Sequence, residues 1–164
     1  MRRPLNLLCL ISLAGLLCAC DPQRISELEE GVATEADVRA KFGAPENIWP
    51  APGGERVFEY NRQPAGHQNY MISIGPDGKM TALRQVLNPG NFAKVQPGMA
   101  LEDVRLLLGK PAKRVPYELK GETAWDWRYM EPPNTSMVFT VWSGPDMKVI
   151  RTSTQRDPEA TENR

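Results

Sequence analysis

The side chains able to do chemistry are few in this chain and unevenly placed. The three cysteines, Cys9, Cys18 and Cys20, all lie near the N-terminus, and the single histidine is His67. A zinc site would have to combine that histidine with carboxylates, whereas zinc sites usually draw on several Cys and His ligands. Neither a phosphate-binding glycine run nor a Gly-x-Ser-x-Gly motif is present. We therefore expect no metal, no cofactor and no catalytic residue.

The N-terminus has the pattern of a cleaved export signal. Two arginines precede an uncharged run over residues 5–17, which is shorter than the roughly 20 apolar residues that span a bilayer as a helix. Residues 17–20 read Leu-Cys-Ala-Cys and resemble a bacterial lipobox, in which the last cysteine is acylated and becomes the mature N-terminus. We predict a lipoprotein signal peptide over residues 1–19 and lipidation of Cys20.

Lipidation predicts a chain that is tethered to a membrane of the cell envelope and faces the periplasm. We favour the outer membrane; Asp21, directly after the lipidated cysteine, keeps the inner membrane as the alternative, because in enteric bacteria this residue signals retention there. The chain carries 20 basic and 20 acidic residues, and loss of two arginines with the signal leaves a slight acidic excess. Nucleic acid is therefore not expected as a partner.

The four tryptophans are the best candidates for a binding surface. Trp125 and Trp127 alternate in a predicted strand, so we expect them in the core or between repeats. Trp49 follows a loop pattern, and Trp142 is predicted on the strand face opposite its apolar neighbours. We predict both as exposed partner contacts, because aromatic side chains often anchor protein interfaces.

The chain contains the same unit twice. Three landmarks recur in the same order: residues 37–45 as 103–111, residues 54–60 as 121–127, and the Gly-Pro-Asp of 75–77 as 144–146. Such a repeat marks a structural unit that buries its apolar face against its own strands or its neighbour. We predict two tandem units over residues 25–87 and 91–155.

Each copy of the pattern predicts a helix followed by strands. Thr34 begins a [Ser/Thr]-x-x-[Asp/Glu] pattern that is typical of a helix start, and Gly43 and Pro45 end that helix. The second copy has Ala100 at the capping position, and we expect a wider apolar stripe to compensate. A shorter helix is predicted before each main helix. Alternating apolar residues after each main helix predict three strands.

The predicted fold class is α+β: two tandem units, each with two short helices followed by a three-stranded antiparallel sheet. A unit of about 60 residues buries only about 60% of its unfolded surface and is marginal alone, so we expect the two to dock. Residues 156–164 contain almost no apolar side chain, which predicts a disordered tail.

These features together resemble a known family. The lipobox, the segment over residues 31–38, the Phe-Gly-x-Pro of residues 42–45 and the aromatic-x-aromatic strand are similar to the SmpA/OmlA family of small outer-membrane lipoproteins, known as BamE. Both repeats match, over most of residues 25–155. The resemblance implies a non-enzymatic accessory subunit of the machinery that folds β-barrels into the outer membrane. The tandem form also resembles the β-lactamase inhibitor proteins, in which two such units form one concave binding sheet.

The resemblance therefore predicts a non-catalytic envelope lipoprotein that serves as an accessory or scaffold factor in outer-membrane β-barrel assembly. Its expected partners are other envelope proteins, β-barrel assembly subunits among them. The alternative is a two-repeat inhibitor of a periplasmic enzyme such as a β-lactamase, with Trp49 as an anchor. The predicted lipid separates the two hypotheses, since a secreted inhibitor needs no membrane anchor.

Overall fold

The computed structural model describes Ile25 and residues 27–160. The predicted signal peptide, the lipidation site Cys20 and residues 161–164 of the predicted tail lie outside this part. Within the described part, no helix combines the length and the apolar character that a bilayer crossing requires.

The described residues are mostly β structure, arranged as two four-stranded antiparallel sheets. The first sheet contains β1 (Asn47–Pro50), β2 (Arg56–Asn61), β3 (Asn69–Ile74) and β4 (Met80–Gln85). The second contains β5 (Lys113–Tyr117), β6 (Glu122–Glu131), β7 (Thr135–Ser143) and β8 (Val149–Arg156). Three α-helices lie wholly within the described residues, α1 (Glu35–Phe42), α2 (Pro89–Phe92) and α3 (Leu101–Leu108), and two 3₁₀-helices cover Pro52–Gly54 and Glu118–Lys120. In both sheets the strands pair in chain order.

The predicted α+β class, with two short helices and a three-stranded sheet per unit, is wrong. Each sheet has a fourth strand, β1 or β5, ahead of the three that were predicted. Both extra strands are short and contain a proline, Pro50 or Pro116, which weakens the strand signal in sequence. They lie at sheet edges, where a missing backbone N–H is tolerated. The short helix predicted near Ile25 lies partly outside the described residues, and residues 27–33 form turns and irregular chain.

Helix α1 begins where the sequence predicted. Thr34 Oγ1 accepts a hydrogen bond from the Asp37 backbone N–H at 3.3 Å, and Asp37 Oδ2 accepts one from the Thr34 N–H at 2.8 Å. This reciprocal pair satisfies two backbone donors at the helix start. Helix α3 starts at Leu101, and Ala100 before it provides no side-chain cap, as predicted. Instead it buries Leu101, Val104 and Leu108.

The two units repeat their tertiary hydrogen bonds as well as their sequence. The Tyr60 hydroxyl donates to the Gly43 carbonyl at 3.1 Å. In the second unit, Trp127 Nε1 donates to the Gly109 carbonyl at 2.9 Å. Each sheet also shifts register at the same place, between β3 and β4 and between β7 and β8. The duplicated landmarks thus occupy equivalent positions in two similar layers.

Helix α3 packs between the two sheets. One core holds α1 against the face of the first sheet that carries Phe58 and Ile72. The opposite face of that sheet contributes Met71 to a second core, together with Val104 of α3 and Trp127 of the second sheet. The layers therefore follow one another as helix, sheet, helix, sheet. The single concave sheet that the inhibitor resemblance implied is not formed, because no strand of one sheet pairs with a strand of the other.

Candidate functional site: an aromatic groove between the two units

An apolar groove of about 330 Å³ lies where the two units meet. It is lined by side chains from β1, from α3 and the loop after it, from β6, and from the turn before β8: Trp49, Leu101, Arg105, Pro111, Trp125 and Met147. Trp127 forms part of its floor and Glu102 part of its rim. Three of the four tryptophans therefore meet in one place, although they come from different units.

Trp49 is held at the groove by a buried carboxylate. It lies in edge strand β1, half-buried, and its Nε1 donates to Glu59 Oε2 at 3.1 Å. Glu59 has 0% exposure. Its other oxygen, Oε1, accepts the backbone N–H of Lys110 from the second unit at 2.8 Å. A buried carboxylate is stable only when hydrogen-bonded in this way, so the position of Trp49 is tied to the docking of the units.

Arg105 places a positive charge in the groove wall. Its Nη2 lies 3.6 Å from Glu59 Oε2, and its guanidinium lies 5.8 Å from the ring centroid of Trp49. The Nε atom of the same side chain is buried and has no hydrogen-bond partner among the described residues. Glu59 thus partly offsets the charge of Arg105, while one buried donor is left over.

The opposite wall belongs to the second sheet. Trp125 Nε1 donates to Ser143 Oγ at 2.9 Å, and the Arg114 guanidinium lies 4.9 Å from the Trp125 ring centroid. These contacts orient the ring at the groove. Met147, with 47% of its surface exposed and φ of 59°, projects from the turn before β8. A flexible thioether beside rigid aromatic rings can adapt to apolar groups of different shape.

The lining of the groove is suited to binding. It offers aromatic and aliphatic carbon, one guanidinium from Arg105 and one carboxylate from Glu102. Such a combination accommodates an apolar side chain and can pair an adjacent carboxylate with Arg105.

Trp142, the second predicted contact residue, lies elsewhere. It is on the outer face of the second sheet, where its ring centroid is 5.2 Å from that of Tyr117. The Arg151 guanidinium lies 4.4 Å from the Trp142 ring and forms two 2.8 Å bonds to Glu122. The Trp142 ring is therefore covered on one side by Arg151, whereas Trp49 opens onto a groove.

His67, the single histidine of the chain, bridges the two units. Its Nε2 lies 2.9 Å from Ser136 Oγ, and that hydroxyl donates to Asp157 Oδ2 at 2.8 Å. Because the hydroxyl hydrogen goes to the carboxylate, the imidazole must donate through Nε2–H. Burial, followed by the charge of Arg128, lowers the pKa of His67.

Asp157 anchors this contact, although it was predicted to lie in the tail. It is only 2% exposed and accepts from Arg128 Nε at 2.7 Å as well as from Ser136. Burial would raise the pKa of Asp157, but the hydrogen bonds from Ser136 and Arg128 outweigh it and hold the pKa below its usual value. Asp157 of the predicted tail thus packs against the second sheet, whereas residues 158–160 are exposed.

Sequence reasoning missed the charged members of the groove. Arg105 in α3 repeats Arg39 in α1, and the sequence alone assigned it no role. Glu59 stands between Phe58 and Tyr60 in the predicted strand. A carboxylate at such a position faces the side of the sheet opposite its aromatic neighbours, and that alternation was the available signal.

The comparisons with known proteins add little to this site. No protein-family model and no curated protein matches the chain. Among solved structures it is similar to a DUF4309 family protein, YjgB, of Bacillus subtilis, at 22% identity, over 83% of this chain and 86% of that one, with a TM-score of 0.33. It is also similar to an extracellular protein containing an SCP domain from Bacillus anthracis, at 13% identity, over 84% of this chain and 47% of that one, with a TM-score of 0.31. These TM-scores support no assignment of fold or function.

Proposed function

We propose that this chain is a non-catalytic envelope lipoprotein that holds a segment of a partner protein in the groove between its units. Within the envelope it would serve as an accessory or scaffold factor in outer-membrane β-barrel assembly. The anchor is Cys20, on the sequence pattern described above. The assembly role rests on the resemblance to the SmpA/OmlA family.

The observation that carries the binding role is the convergence of Trp49, Trp125 and Met147 on one apolar groove. Full burial of one Leu-sized or Phe-sized side chain contributes about 1.5–3 kcal/mol. Tryptophan and arginine are also the residue types most often found at the energetic centre of protein interfaces. A partner segment with an apolar side chain next to a carboxylate would meet both the rings and Arg105.

The experiment is affinity capture with the full-length, lipidated chain from its own envelope. Met147→Glu places a carboxylate at the groove and should reduce recovery of β-barrel assembly subunits about tenfold, as expected for loss of an interface centre. The matched control is Met130→Glu, because Met130 is 40% exposed and lies on the outer face of the second sheet. Recovery with that variant should equal recovery with the unmodified chain.

Two results would contradict the proposal. Recovery of no β-barrel assembly subunit, together with an unchanged outer-membrane protein profile in a deletion strain, would remove the assembly role. Equal recovery with both methionine variants would show that the partner does not bind in the groove. Titratable inhibition of a periplasmic hydrolase, such as a β-lactamase, would instead favour the inhibitor alternative, which stays a prediction.

A further inference from the structure

The outer edges of the two sheets differ in how they are covered. The edges formed by β1 and β5 are short and contain proline. The edge formed by β4 begins at Met80. The Met80 carbonyl accepts the Gly31 N–H, and the Met80 N–H donates to the Ala33 carbonyl, each at 2.7 Å. The edge formed by β8 begins in the same way, at Val149. Beyond this first residue the edges of β4 and β8 diverge.

Hydrogen bonding shows which backbone groups of β8 point outward. The Asp157 N–H donates to the Ser136 carbonyl at 3.0 Å, in register with the Met137–Arg156 pair. In antiparallel strands, hydrogen-bonded and non-hydrogen-bonded pairs alternate. The N–H and C=O groups of Thr152, Thr154 and Arg156 therefore face away from β7. We call these groups the open edge.

The duplication shows what covers the corresponding edge in the first unit. Leu83 of β4 corresponds to Thr152 of β8, and the Leu83 N–H donates to the Glu30 carboxylate at 3.0 Å. Glu30 immediately precedes Gly31, whose N–H bonds to β4. In the second unit, Gly98 makes the same bond to β8, and the residue immediately before it is Pro97. It has no carboxylate to offer. Residues 150–156 are all exposed, and no described group hydrogen-bonds to the open edge.

We infer that the open edge of β8 binds an extended, acidic segment of another protein, which adds a strand to the second sheet. An exposed edge is a template for strand addition. Every charged side chain between residues 148 and 156 is basic: Lys148, Arg156 and Arg151, the last of which is already paired with Glu122. A second copy of β8 would bring the same basic side chains together, whereas a segment with glutamates or aspartates complements them. This surface lies apart from the groove, and the inference does not depend on the proposed function.

The test uses the mature chain and a synthetic peptide of alternating valine and glutamate, with a valine–lysine peptide as its control. Binding is followed by fluorescence anisotropy of the labelled peptide, and the site is followed by amide hydrogen exchange. We expect the glutamate peptide to bind at least tenfold more tightly and to slow exchange over residues 150–156. Pro97→Glu recreates the Glu30 cap and should weaken binding about tenfold, the effect of losing one or two backbone hydrogen bonds.

Gln96→Glu is the matched control, because it adds the same charge one residue away and should leave tight binding intact. Thr152→Pro is a second variant. It removes one outward N–H of the open edge but none of the bonds to β7, and it should weaken binding by a similar factor. Equal binding of the two peptides, slowed exchange only outside residues 150–156, or no binding at millimolar peptide would overturn the inference. So would slowed exchange at the open edge in a peptide-free dimer, which would identify a second copy as the occupant.

Discussion

Trp49 Nε1 and Glu59 Oε2 lie 3.1 Å apart, within the first unit, and the second oxygen of Glu59 accepts the Lys110 N–H from the second unit. One buried carboxylate therefore orients a groove residue and also joins the two units. Any change at Glu59 should affect both the stability of the chain and the shape of the groove.

Glu59→Ala should lower the free energy of unfolding by about 3 kcal/mol, because it leaves the Trp49 and Lys110 donors unsatisfied and Arg105 without its carboxylate. Glu59→Gln keeps an acceptor oxygen for one of the donors and should cost less than the alanine change. Chemical denaturation of both variants, followed by tryptophan fluorescence, measures the difference. Equal losses would show that the hydrogen bonds of Glu59 contribute little.

Gly109→Ala should be more destabilising than Gly43→Ala. Both glycines follow the main helix of their unit with positive φ and extended ψ, Gly109 at 75° and −171° and Gly43 at 85° and −159°, so both changes carry a backbone penalty of about 1–3 kcal/mol. At Gly109 an added Cβ would also lie 2.9 Å from Asn69 Nδ2 of the first unit, whereas at Gly43 nothing lies within 4 Å. The difference in unfolding free energy between the two variants measures the cost of the steric clash with Asn69 where the two units meet. Equal values would mean that Asn69 moves aside freely.

Acid should lower the stability of the folded chain through His67, because protonation places a charge on a partly buried ring near Arg128. The pKa of His67 is lowered by burial and by Arg128, so the unfolded chain takes up a proton at higher pH than the folded chain does. The stability that depends on neutral His67 is present above about pH 6.5, the usual histidine value, and is lost as the pH falls towards the folded pKa. Unfolding free energies at pH 7.5 and 5.5 should show this loss.

His67→Gln is the control for that experiment, because a glutamine can still donate to Ser136 but does not titrate. Its stability should change less between the two pH values. The lowered pKa of Asp157 has the same sign but acts at more acidic pH, below about 3.8. A pH dependence that persists unchanged in the glutamine variant would assign the loss to other groups.

Cys20→Ala should release the chain from the membrane fraction. In the described part no helix is long and apolar enough to cross a bilayer, and paired acyl chains on Cys20 would supply stable attachment. Mass spectrometry of the mature N-terminus tests the modification directly. An uncleaved Met1, or a free thiol at Cys20, would contradict the lipobox interpretation.

Local patterns in the sequence were sufficient for features that depend on neighbouring residues. The Thr34 cap is satisfied by Asp37, three residues away, and the alternation of Trp125, Trp127 and Tyr129 reflects the two faces of a single strand. The duplicated glycines also follow from the chain itself, because each ends a helix in a backbone conformation that glycine adopts easily. Such signals act over a few residues, so they can be read without knowledge of the fold.

Features that depend on the stacking of the layers were decided only by the tertiary structure. Strands β1 and β5 form despite their prolines because a neighbouring strand is available to pair with an edge. Glu59 hydrogen-bonds to Lys110, and His67 to Ser136, across separations of 51 and 69 residues. The sequence gives no sign that Trp49 and Trp125 lie close together. They share a groove because α3 lies between the two sheets, and the burial that favours this arrangement depends on surfaces far apart in the chain.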